Sequence, residues 1–316
     1  MLLCAALACA AVSAAEPVRV IFDTDIGNDV DDALALAILH ALESRAEAKI
    51  LAVTITKDNQ YAAPFIDCVD TFYGRPDIPI GVVKNGKTPE DSAMIRVPAT
   101  RRNADGSFVY PHRITDGAQA SDAVSVLRSV LEKQPDASVV IVQVGFSTNL
   151  ARLLDAAPDL VAHKVRLLSA MAGAFPTGNP EFNVKTDIPA ARRVFRDWPS
   201  PIVFSGFEIG QAMLFPGVNI EHDFAWVANH PVAEAYRNYM KMPYDRPTWD
   251  LTAALYAVRG DRGYFSLSEP GTVDVDDEGR TVFKPDAKGT RRYLILDAAW
   301  KARTLEALIL LASQPR

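Results

Sequence analysis

Apolar residues in this chain come in short blocks separated by polar turns. Val18-Arg19-Val20-Ile21-Phe22 is short and β-branched, which predicts a buried strand, and Ala33 to Leu39 is apolar on every side, which predicts a buried helix. The same alternation continues downstream. Strands are predicted at Ile50 to Ile55, Pro79 to Val83, Val139 to Val144, Val165 to Met171 and Ile202 to Ser205. Helices are predicted at Ala123 to Glu132, Leu150 to Ala156 and Ile188 to Phe195. Strands alternating with helices imply an α/β fold: an open, mostly parallel, Rossmann-like sheet with helices on both faces. Near the end, Thr272 to Val275 and Arg280 to Phe283 flank Asp276-Asp277-Glu278-Gly279, a hairpin with a solvated acidic turn. Ala298 to Ala312 has the spacing of a terminal amphipathic helix.

One polar segment breaks the pattern. Between the first strand and the first helix lie Asp23, Asp25, Asp29, Asp31 and Asp32, five aspartates within ten residues. A solvated turn or a helix cap accounts for one or two of them, but not for five bracketed by apolar runs. The segment falls at the carboxyl end of a strand, where open α/β sheets bind ligands. So many like charges in one turn repel, and a hard divalent cation relieves that repulsion; oxygen-only donors point to Ca²⁺ or Mg²⁺ rather than zinc. An EF-hand is excluded, because the sixth and twelfth places counted from Asp23 hold Asn28 and Leu34 instead of Gly and Glu. The segment also lacks the Thr or Val usual two residues after a DxD nucleophile motif, having Gly27 there.

The run resembles the N-terminal fingerprint of the nucleoside hydrolases, DxDxGxDDAxA, with two additional residues between Gly27 and the Asp31-Asp32 pair. Asp23, Asp25 and Gly27 match from the left; Asp31, Asp32, Ala33 and Ala35 match from the right; Asp29 is left unassigned. Three further segments follow in the family's order. Val142 to Ala151 is similar to VxxGPLTNxA; Met171-Ala172-Gly173 with Asn179 and Glu181-Phe182-Asn183 resembles MGG…N…EFN; Trp249-Asp250 stands where the family has its late Asp at a helix start.

This resemblance implies hydrolysis of the N-glycosidic bond of ribonucleosides by a Ca²⁺-bound water, through an oxocarbenium-like transition state. It implies Asp25, Asp32 and Asp250 as metal ligands together with the backbone carbonyl of Val144, and Asp25 as the base that takes the proton of the water. Asp31 is expected at the ribose 2′-hydroxyl, Asn183 at the 3′-hydroxyl, and Glu181 and Asn179 at the 5′-hydroxyl, although the Asn179 segment is shorter than in better-known members. Asn59 resembles the Asn placed near ribose and base, with Asp58 as its alternative. Trp249 in front of Asp250 resembles the purine-preferring branch, in which the base stacks on an aromatic ring. A solvated loop residue is the ordinary reading of His112, with the leaving-group acid as the functional alternative and Tyr110 as a second stacking candidate. For Asn149 a turn-capping role is expected.

Composition narrows the remaining choices. The chain has 316 residues, a formal charge of −6 and 49% hydrophobic residues, enough for one large core. The acidic balance and the lack of a basic stripe exclude nonspecific nucleic-acid binding. Residues 1–15 carry no charge and end in Ser13-Ala14-Ala15, which reads as a cleaved signal peptide without the usual basic start, an added N-terminal helix being the alternative. On that reading residues 16–316 form a single domain in the periplasm or outside the cell, not membrane-bound after processing, with Cys68 as the one cysteine. The partner implied is a small-molecule nucleoside, and a homodimer or homotetramer stays open. Two other readings also stay open: a hydrolase of the same fold acting on another N-riboside, and a nonenzymatic, metal-stabilised nucleoside-binding protein.

Overall fold

The computed structural model describes residues 16–176 and 178–315; the expected signal segment, 1–15, lies outside them. The strands are β1 (Val18–Thr24), β2 (Ala48–Lys57), β3 (Ile80–Lys87), β4 (Ser121–Asp122), β5 (Val139–Gln143), β6 (Val165–Met171), β7 (Ile202–Ser205), β8 (Leu214–Phe215), β9 (Arg246–Pro247), β10 (Ser266–Leu267), β11 (Gly271–Val275), β12 (Thr281–Pro285) and β13 (Arg291–Ile295). The main sheet runs β12-β11-β13-β7-β6-β5-β1-β2-β3-β4. From β13 to β4 every neighbouring pair is parallel. Only β10, β11 and β12 pair antiparallel at that edge, and β8 and β9 form a separate two-stranded ribbon.

The period-2 pattern of the central strands sorts their side chains onto two faces. Val20, Phe22, Val140 and Val142 join one core with the helices Asp31–Ser44, Ala62–Phe72 and Trp249–Arg259. Ile21, Val139 and Ile141 join the other with Ala123–Leu131, Thr148–Ala156 and Ile188–Asp197. The Asp31 helix is buried almost all round, as its uniform apolarity requires. The acidic-turn hairpin forms as expected, β11 pairing β12 from Gly271↔Pro285 at the open end to Val275↔Thr281 beside the turn.

The sequence pattern missed β13. This short strand of mixed polarity pairs parallel to β7 after a long excursion through helices and the hairpin. No helix among the described residues is long and apolar enough to cross a membrane.

Sheet order places the ligand crevice. The chain leaves β1 for β2 on one side, whereas β5 arrives on the other side of β1. The carboxyl ends of β1 and β5 therefore diverge at the topological switch point. Asp25 follows β1 there and Val144 follows β5.

Candidate active site

Two tight backbone features bring these ends together. Gly27 has φ +107°, a conformation that L side chains rarely adopt, and turns the chain from β1 toward the helix. Gly145 lies so close to β1 that a Cβ would stand 2.6 Å from the Asp25 nitrogen and 2.4 Å from Thr56 Oγ1. Val144 N donates to the Asp23 carbonyl at 2.7 Å, locking the two turns side by side. Beneath them Asp23 is buried and accepts from Thr54 Oγ1 at 2.6 Å and Asn149 Nδ2 at 2.9 Å. Burial pushes its carboxyl up to about 7 despite those donors. Asn149 also donates to the Ile55 carbonyl at 3.2 Å, so it fastens the floor of the site, in keeping with a capping role.

Above that floor is a cavity of about 600 Å³. Asp31 and Asp32 enter it from the first turn of the Asp31–Ser44 helix, and Asp250 from the first turn of the Trp249–Arg259 helix. Both helix N-termini favour negative charge. Asp250 N donates to Asp31 Oδ2 at 3.0 Å and ties the two helices together. Asp31, Asp32 and Asp250 each offer a carboxylate oxygen, and these oxygens lie within 4.8 Å of one another. Burial first, and then neighbouring carboxylates, hold all three well above the ordinary carboxylate range. Thr24 Oγ1 donates to Asp32 Oδ1, while Asp32 Oδ2 is buried with no hydrogen-bond partner among the described residues. An orphaned anionic oxygen in an all-oxygen cluster is what a hard cation satisfies, so these residues fit a metal ion.

The expected ligand set is partly regrouped. The structure clusters Asp31, rather than Asp25, with Asp32 and Asp250. Asp25 lines the same cavity, and its Oδ2 accepts from Asn28 Nδ2 at 2.8 Å. Burial, outweighing that hydrogen bond, pushes its carboxyl up to about 7. The Val144 carbonyl also faces the site and accepts from Asn183 Nδ2 at 2.7 Å; its second lone pair leaves room for a ligand.

Glu181 caps the short helix Phe182–Thr186. It accepts from Asn183 N at 2.8 Å and Val184 N at 3.2 Å, and from Gly173 N at 3.0 Å. Asn179, Glu181, Asn183 and Trp249 all line the cavity. The indole Nε1 of Trp249 donates to the Phe207 carbonyl at 2.9 Å and its ring stacks on Phe207 at 5.3 Å between centroids.

Four expected neighbours are elsewhere. Asn59 does not reach the cavity: its amide donates to the carbonyls of Pro89 and Glu90, at 3.1 and 3.0 Å, beside a separate groove. Asp58 lies at the same groove and accepts from Gly86 N at 2.8 Å. His112 packs its Nδ1 2.6 Å from the Tyr110 carbonyl and 3.2 Å from Cys68 Sγ, and the Tyr110 hydroxyl donates to Glu234. Neither lines the cavity.

Lys57, at the same groove as Asn59, instead reaches Asn28, which lines the cavity. Lys57 Nζ donates to Asn28 Oδ1 at 2.8 Å and to the Thr88 carbonyl at 2.7 Å. This orients the Asn28 amide so that its NH₂ faces Asp25. Asp29, unassigned by the motif, forms a bidentate ion pair with Arg246 in the cavity wall. The two-residue insertion thus carries side chains that reach two walls of the site. A lysine ending a strand and an arginine three residues before Trp249 were the only signals available in the sequence.

A family model described as "Inosine-uridine preferring nucleoside hydrolase" matches residues 20–305. The chain belongs to that family. It is 32% identical over 197 residues to the pyrimidine-specific ribonucleoside hydrolase RihA of Klebsiella pneumoniae, a match covering 60% of each chain. The chain thus spans about three fifths of the length of that curated relative. Among solved structures it is similar to a plant nucleoside hydrolase, with TM-score 0.71 and 21% identity over 95% of this chain and 100% of that one. A purine-preferring ribonucleoside hydrolase from Gardnerella vaginalis superposes with TM-score 0.69 and 20% identity, covering 93% and 98%. These structures share the fold, and the mixed, mostly parallel sheet described above is that of nucleoside hydrolases.

Proposed function

We propose that the protein hydrolyses the N-glycosidic bond of ribonucleosides, purine nucleosides foremost, to free base and ribose with Ca²⁺ as its metal. The observation that carries this reading is the convergence of Asp25, Asp31, Asp32 and Asp250, from opposite ends of the chain, on one cavity that also presents Glu181 and Asn183. Asp31, Asp32, Asp250 and the Val144 carbonyl would hold the cation, which orients the attacking water and lowers its pKa.

The remaining work falls to the chain's own groups. Asp25, buried in the same cavity as the carboxylate cluster, takes the proton from the water as it adds to the anomeric carbon. Several buried carboxylates around the sugar favour the positive charge that builds on its ring. Asp31, Asn183 and Glu181 present polar atoms to the ribose hydroxyls, and leaving such buried groups unsatisfied disfavours deoxy analogues. On the base side Trp249, Phe207 and Phe182 offer aromatic surface, which supports the purine reading because a larger base gains more from stacking.

Incubation with inosine, guanosine, adenosine, uridine and cytidine in the presence of Ca²⁺, followed by detection of free base and ribose, tests the proposal. Release is expected from the purine nucleosides first. No release from any of the five removes the reading, and release from uridine and cytidine alone reverses the base preference. We further propose export to the periplasm or beyond, with the nucleoside as the only partner besides further copies of the chain.

A further inference from the structure

The part of the cavity wall formed by Asp29, Arg246 and Trp249, with Tyr239 behind Arg246, is not used by the metal cluster or the ribose contacts. Arg246 lines the cavity with only a fifth of its side chain exposed. Its Nε donates to Asp29 Oδ1 at 2.8 Å, and Nη2 donates to Asp29 Oδ2 and, at 3.1 Å, to the Tyr239 hydroxyl. The guanidinium carbon lies 5.1 Å from the Tyr239 ring centre and 5.2 Å from that of Trp249. Two aromatic faces and a bidentate carboxylate therefore hold the guanidinium in one orientation. Among the described residues nothing accepts a hydrogen bond from Nη1.

Position along the sugar decides what that donor meets. Asp31 is assigned to the 2′-hydroxyl, on the carbon next to the anomeric one, and Arg246 is close enough to act electrostatically on Asp31. Glu181 and Asn179 belong to the opposite, 5′ end. A group flanking both Asp31 and Trp249 thus faces the glycosidic bond and the base. Lys185 and Glu208 also line the cavity, Glu208 directing one carboxyl oxygen to Phe175 N at 3.0 Å, but Arg246 is the cation beside both Asp31 and Trp249. Among the described residues no histidine lines the cavity.

We propose that Arg246, fixed by Asp29, is the residue that stabilises the departing base; this rests on the nucleoside-hydrolase reading above. The C1′–N bond breaks with both electrons going to the base. Water forms the new C1′–O bond and its proton goes to Asp25. The guanidinium keeps its own protons and hydrogen-bonds the anion developing on the base, which takes a proton from solvent after release. Asp29 neutralises the guanidinium, so the pair adds no net charge to oppose the cation forming on the ribose. Arg246 is the catalytic residue of this step and Asp29 its positioning residue.

The test compares two leaving groups in the holoenzyme: inosine, whose base departs poorly, and 4-nitrophenyl β-D-ribofuranoside, whose phenolate departs without help. R246M is expected to lose roughly a hundredfold in kcat on inosine, the usual cost of one preorganised donor to a developing anion, and less than about tenfold on the nitrophenyl riboside. Because R246M leaves Asp29 unpaired, the double variant D29N/R246M, which removes both charges, is expected to show the same split. D29N alone is expected to shift the ratio in the same direction by a smaller factor. Equal losses on both substrates in R246M and in the double variant make Arg246 a scaffold residue and overturn the proposal. Wild-type protein that cleaves the nitrophenyl riboside but none of the nucleosides refutes the proposed substrate class, and takes this inference with it, before any variant is compared.

Discussion

Binding of Ca²⁺ should stabilise this protein by an amount that depends on pH with a definite sign. Without a cation the cluster of Asp31, Asp32 and Asp250 is a site of repulsion, and burial and mutual charge raise all three carboxyls above their unfolded values. A carboxyl raised on folding contributes stability below its unfolded pKa and loses it as pH rises through the folded one. The metal-free protein should therefore grow more stable as pH falls from 8 toward 5, with part of the change centred near 7, where Asp25 titrates. A cation reverses this, because it binds the ionised form and competes with protons. At a free concentration one hundred times Kd it adds about 2.7 kcal/mol. For 316 residues, an unfolding entropy of about 2.1 cal/mol/K per residue gives about 0.65 kcal/mol/K, and hence a rise in Tm of about 4 °C. The assay is calorimetry or dye-monitored melting of EDTA-treated protein, with and without Ca²⁺, at pH 8 and pH 5.5. The rise should be present at pH 8 and shrink at pH 5.5. D32N should lose most of the rise while melting above wild type in EDTA at pH 8, since it removes one repelling charge. A full Ca²⁺ shift in D32N, or none in wild type at pH 8, refutes the assignment of the cluster as a metal site.

Other outcomes follow from individual side chains. D25N should lower kcat by about 10²–10⁴-fold, the range for a lost general base, with far-ultraviolet circular dichroism unchanged; near-normal turnover removes Asp25 from that role. N28A takes away the amide that Lys57 aims at Asp25 and should lower kcat about tenfold with little change in KM, from the loss of one charge-assisted hydrogen bond; a purely KM effect would place Asn28 at the substrate instead. W249A should raise KM for purine nucleosides about tenfold, the order of one lost stacking contact, and KM for uridine less; equal increases would mark the ring as packing for Phe207 alone.

Much of the architecture is legible in the chain itself. Apolar blocks of strand and helix length alternate clearly enough that β1, β6 and β7 fall where the pattern predicts, and the helix after the Asp run is already marked by its unbroken apolarity. The acidic cluster was legible for the same reason: charge in excess between two buried elements has to be satisfied by something. Asp25, Asp31, Asp32, Asn179, Glu181, Asn183, Trp249 and Asp250 were all named from the chain, and all line one cavity.

Other features lay beyond the reach of sequence pattern. β13 opens on Arg291-Arg292, which leaves only Tyr293-Leu294-Ile295 as an apolar block, too short to read as a strand. Asn59 occupies the expected register, yet the loop after β2 turns its amide to Pro89 and Glu90, while Lys57, two residues earlier, donates to Asn28. Which member of a loop faces a cavity depends on backbone dihedrals that local composition leaves free. The pairing of Asp29 with Arg246, 217 positions apart, has no local signal at all. Residue chemistry and spacing along the chain determined that carboxylates had to gather at a strand end. Only the placing of β5 beside β1 at the switch point, and the packing of two helix N-termini above it, decided which of them share an ion, which one Asn28 holds, and which is spent on an arginine.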